Sequence, residues 1–138
     1  MNFKTKNILI NGKIVAKVFK YKKKKIKGIQ FFTPNEYNMQ VGLMAHSKNY
    51  IIKPHYHLNR KKVIKNMSEL LIIFSGKLKV YFYNKKNIRC KTAILNKKDM
   101  ILLMSGGHGF KVLEKIEMIE IKQGPFSGDK DKIRLEKL

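Results

Sequence analysis

The chain has 138 residues, 43% hydrophobic and 29% charged, with three prolines and nine glycines, which fits one folded domain and excludes a disordered, collagen-like or repeat-built chain. Its longest uninterrupted apolar runs, 70–74 and 100–104, are five residues each, where a membrane helix needs about 20; near the N-terminus the first apolar run is only residues 8–10, too few for a signal segment. No membrane association and a cytoplasmic location are therefore expected, and the single cysteine, Cys90, can form no internal disulfide.

Two-residue alternation dominates, so the chain is expected to be all-β, with strands at 8–10, 14–19, 28–32, 39–45, 50–53, 69–74, 77–83, 88–95, 100–104, 110–113 and 117–121. Turn signals separate them, among them Asn11-Gly12, Ser75-Gly76, Asn84 to Asn87, Ser105-Gly106-Gly107 and Glu114-Lys115. The 70–74 run has no polar face and should be central, covered on both sides. In 77–83 the residues Leu78, Val80 and Phe82 share one face, and Lys77, Lys79, Tyr81 and Tyr83 share the other. Cys90 alternates with Arg89 and Lys91 and is expected to be buried. The stretch 58–68 reads as a long loop or short helical excursion. Residues 1–38 supply N-terminal strands and a possible dimer contact, 39–121 the barrel core, and 122–138 a tail docked by Phe126, Ile133, Leu135 and Leu138. Unpaired edges in the N-terminal strands lead to the expectation of a homodimer through 8–32.

The formal charge of +22, from 31 basic and 9 acidic residues, would attract a polyanion. Only Arg60, Arg89 and Arg134 are arginine, however, and the 28 lysines accompany 17 isoleucines and 11 asparagines, the bias of A+T-rich codons. A phosphate-gripping surface would use more of arginine's bidentate fork. The cluster Lys20, Lys22, Lys23, Lys24, Lys25 and Lys27 is read as a solvated hairpin tip, and nucleic acid is not the expected partner.

His55 and His57 are two apart around Tyr56, so on a strand both imidazoles would face one point. Glu69 opens the apolar 69–74 strand, where an unpaired carboxylate would be costly. His108 lies in Gly106-Gly107-His108-Gly109, after a buried strand. Three imidazoles and a carboxylate suit a divalent ion such as Zn, Mn, Fe or Ni with positions open to water or substrate. His46, beside Ser47 and Asn49, is read as a loop residue.

This order of residues resembles the cupin superfamily. The first cupin motif, His-x-His, then Glu, six residues and Gly, is matched by His55, His57, Glu69 and Gly76; the second by Lys98-Asp99, the strand 100–103, Met104-Ser105-Gly106 and His108. The chain departs from the pattern in a longer spacing from His57 to Glu69, in Lys98 and Met104 for the usual glycine and proline, and in a third histidine one residue early. From Lys53 to Arg134 it is similar to small single-domain bacterial cupins found among polysaccharide and sugar-nucleotide biosynthesis proteins. The resemblance implies a jelly-roll β-barrel with a divalent metal on His55, His57, Glu69 and His108, and a small polar, sugar-like ligand at the mouth. Tyr81 and Tyr83 are candidate substrate-binding residues. Two alternatives are a metal-free sugar-nucleotide isomerase using His and Tyr, and a non-catalytic module whose lysines carry affinity for nucleic acid.

Overall fold

Asn11 and Gly12 both adopt left-handed backbone, with φ of 48° and 74°, as a two-residue type I′ hairpin turn requires. They join β1 (Asn2–Ile10) to β2 (Lys13–Lys22), with Ile10 opposite Lys13. The computed structural model, which describes residues 1–61, 63–124 and 132–135, continues through β3 (Gly28–Phe31), β4 (Gly42–Ala45), β5 (Glu69–Tyr83), β6 (Arg89–Asn96), β7 (Met100–Leu103) and β8 (Gly107–Lys122). Among the described residues all pairings are antiparallel: β3 pairs with β4 alone, while the main sheet runs β1-β2-β7-β5-β6 with β8 along β5. The described residues contain no helix, so none long and apolar enough to cross a membrane. Phe126 and Leu138, two of the residues expected to dock the tail, lie outside the described residues.

The strands expected at 69–74 and 77–83 are one continuous strand, β5, and those at 110–113 and 117–121 are one, β8. Ser75-Gly76 and Glu114-Lys115 do not reverse the chain. They face each other across the β5/β8 ribbon, where the register shifts between Ile73 and Leu78, and such bulges bend a strand pair sharply. Gly76 has φ 79°, and a Cβ there would strike the Lys115 backbone carbonyl. The bend curls the sheet into a half-barrel. Leu71 and Ile73 from one arm of β5 meet Leu78, Val80 and Phe82 from the other in one core, which Ile8 and Val18 complete from β1 and β2.

β7 is buried on both faces. Ile101 and Leu103 enter the inner core, whereas Met100 and Leu102 join an outer one with Phe19, Val41 and Leu70. The strap 32–41 covers that outer core with Phe32, Tyr37 and Met39 and is pinned where Thr33 Oγ1 accepts a 2.9 Å hydrogen bond from the Val41 amide.

Three expectations are corrected here. Residues 50–53 form no strand; residues 46–61 and 63–68 are irregular. The 70–74 run is covered through Ile73, but Phe74, at the corner, is 51% exposed. Cys90 is exposed: among the described residues β6 pairs only with β5, and of β6 only Ala93 and Leu95 reach the core.

Candidate site at the open end of the half-barrel

Glu69 is the first residue of β5 and, by alternation, shares the inward face of Leu71 and Ile73. His108 is the second residue of β8; it is in register with Phe82 and shares the face of Phe110, which packs on the same inner core. Each therefore stands at the tip of one arm of the bent ribbon, and the curl brings the tips together. His108 Nε2 lies 3.2 Å from Glu69 Oε2, with side-chain exposures of 27% and 13%. The hydrogen bond from His108 holds the Glu69 carboxyl below its ordinary range, against the upward push of partial burial. The charges of His108, Lys122 and Lys132 act in the same lowering direction, Lys122 being the residue directly opposite Glu69 on β8.

His55 and His57 occupy the irregular segment and are exposed. Their rings stand edge to face, with centroids 5.2 Å apart. His55 Nδ1 is 2.9 Å from the Lys53 carbonyl oxygen. Since a carbonyl only accepts, Nδ1 carries the proton of the neutral ring and Nε2 keeps its lone pair. The structure thus brings the four expected ligands together as two pairs. No group of three or more His, Cys, Asp and Glu side chains able to hold one ion occurs among the described residues.

The donor chemistry of each pair fits a divalent ion. Two ligand atoms each about 2.1 Å from an ion and at right angles to one another are about 3 Å apart, so the Glu69–His108 separation suits two neighbouring ligands as well as a hydrogen bond. His55 offers the one nitrogen its backbone contact leaves free to ligate.

Tyr81 and Tyr83 lie elsewhere. They share the β5 face opposite Phe82, hence opposite His108, and are 6% and 4% exposed. Their registered neighbours on β8 are Gly109 and Gly107, which leave room for rings to lie across the adjacent strand. The glycines beside His108 thus serve mainly the tyrosines; Gly106, with φ 77°, makes the turn. Lys79 Nζ and Arg89 Cζ sit 5.3 and 5.1 Å from the Tyr81 ring centroid. The Tyr83 hydroxyl is buried with no partner among the described residues.

Two polar groups were not foreseen. His46 stacks on Tyr50 with centroids 4.1 Å apart, its Nε2 buried without a partner among the described residues; the only signal is a four-residue spacing across a turn. Asp99, noted only as part of a motif turn, is 4% exposed and takes hydrogen bonds from Lys20 Nζ at 2.5 Å and from the Tyr21 and Asn96 amides at 2.9 Å.

No protein-family model, curated protein or solved structure matches the chain.

Proposed function

We propose that this chain is a cupin-type jelly-roll barrel that binds a small polar, sugar-like metabolite at its open end, with a divalent metal held by His55, His57, Glu69 and His108. The observation that carries this reading is the Glu69–His108 contact. It joins residues from two separate motifs at the tips of the two arms of the bent ribbon. A bound divalent ion would supply Lewis acidity toward a ligand oxygen. The chain's own contribution is an ionised Glu69 carboxylate, a His108 ring oriented by it, and a His55 ring whose Nε2 faces away from its backbone partner. In this reading the protein is cytoplasmic, where the exposed Cys90 stays reduced.

Metal analysis of untagged protein tests the reading. About one equivalent in the wild type after reconstitution with Zn, Mn, Fe or Ni, lost in both His57→Ala and Glu69→Gln, is the expected result; a wild type that retains none overturns it.

A second reading keeps the site without the metal. The 3.2 Å contact makes Glu69 and His108 a carboxylate–imidazole dyad able to hold or move a proton next to a ligand carbonyl, and it replaces the His–Tyr pair because Tyr81 and Tyr83 face outward. Ligand binding that survives complete metal removal but not His108→Ala would select it.

A homodimer belongs to the same proposal. Ile8 is buried in the core, whereas Ile29, Phe31 and Met44 of the β3–β4 hairpin are more than half exposed. The expected contact is therefore that hairpin. Light scattering should give twice the 16.2 kDa chain mass, falling to one with Phe31→Asp; a monomeric wild type removes the dimer.

A further inference from the structure

An open cavity of about 340 Å³ lies between the strap at 36–39, the segment 63–68 and the end of β7, within the size range of small-molecule sites. It is separate from the Glu69–His108 end. Leu102, on its floor, packs into the outer core, whereas its neighbour Leu103 points into the inner one, so the two sites lie on opposite faces of the same sheet.

The floor is apolar, made by Leu102, Met104 and Met39, while the strap brings the negative charge of Glu36 and the 63–68 segment the positive charge of Lys65. Neither forms an ion pair with a described residue, including each other. Ser68 is 8% exposed and lines the cavity; its amide is taken by Gln123 Oε1, but its hydroxyl makes no hydrogen bond with a described residue.

We infer that this cavity binds a free α-amino acid with a large apolar side chain. A polyol would pair some hydroxyls with Asn38, Asn66 and Ser68, which also line the cavity, but would press others against Leu102 and Met104, where they find no partner. A purely apolar molecule would leave Glu36, Lys65 and Ser68 unused. A zwitterion with an apolar side chain satisfies both parts of the wall: its ammonium meets Glu36, its carboxylate meets Lys65 and the Ser68 hydroxyl, and its side chain covers the floor.

Calorimetric titration with L-leucine, L-methionine and L-phenylalanine tests this, with N-acetyl-L-leucine, L-leucinamide and glucose as comparisons. At least one free amino acid should bind saturably. Each leucine derivative, lacking one charge, should bind about tenfold more weakly than leucine, the scale of a lost charge-assisted hydrogen bond. Glu36→Gln should weaken leucine about tenfold yet leave N-acetyl-leucine unchanged, and Lys65→Gln should do the same with leucinamide spared. Both side chains are exposed, so the fold should persist. Binding should also be indifferent to His57→Ala and to metal removal, which makes it independent of the open-end site. Absence of saturable binding by all three amino acids, derivatives that bind as tightly as leucine, or glucose binding in their place would overturn the inference.

Discussion

Asp99 shows how one buried carboxylate ties separate strands together. It accepts from Lys20 and the Tyr21 amide on β2 and from the Asn96 amide at the end of β6. Removing it leaves the Lys20 ammonium with only the Ile94 carbonyl and water and two amides without their acceptor, so Asp99→Ala should cost about 2 kcal/mol in urea denaturation. The preceding residue, Lys98, takes φ 72°, a left-handed turn made without glycine. Glu69 carries the clearest pH signature. Its folded-state pKa lies below the ordinary value of 4.5, so its interactions stabilise the fold fully above that value and are lost as pH falls through the lower, folded one. The stability gap between wild type and Glu69→Gln should close as pH falls below 4.5. A gap that persists undiminished well below that pH would refute the assignment.

Among the elements, the corner of the β5/β8 ribbon is the least replaceable. Gly76→Ala places a Cβ against the Lys115 carbonyl at a left-handed φ, and the loss should reach about 3 kcal/mol or more; a melting temperature within a degree of wild type would contradict it. The strands themselves were legible, because Leu78, Val80 and Phe82 alternate cleanly and the four-residue core of β7 is apolar throughout. The continuity of β5 and β8 was not: a glycine in a bulge and a glycine in a reversal look the same in one dimension, and only the opposite strand distinguishes them. Tyr81 and Tyr83 were placed on the correct face, yet their burial depends on Gly107 and Gly109 of a distant strand. Cys90 shows the reverse, an alternating position on a strand that has outrun its core. For the site, the pairing of Glu69 with His108 was foreseeable from the two motifs. The position of His55 and His57 was not, since their convergence was argued from a strand that does not form.

At the scale of the whole molecule the charge and the open end are separate properties. Lys22, Lys23, Lys24 and Lys25 are exposed at the end of β2 and in the link to β3, far in sequence from Glu69 and His108. Binding to random DNA should be weak and fall steeply between low and physiological salt, because counterion release alone drives it. Replacing the four lysines with glutamine should reduce it without altering the fold; a sequence-selective complex that persists at physiological salt would point instead to a nucleic-acid-binding protein. The bent ribbon has a mechanical meaning as well. Gly76 is seven residue steps along the strand from Glu69, an arm about 23 Å long at strand rise. Opening the corner by about 5° would move that tip by about 2 Å, enough to break the contact with His108 while every hydrogen bond along the arm survives. The ribbon is a pair of tongs with its pivot at Gly76 and its jaws at Glu69 and His108, so the His108 ring resonance is a gauge of how far the jaws stand apart.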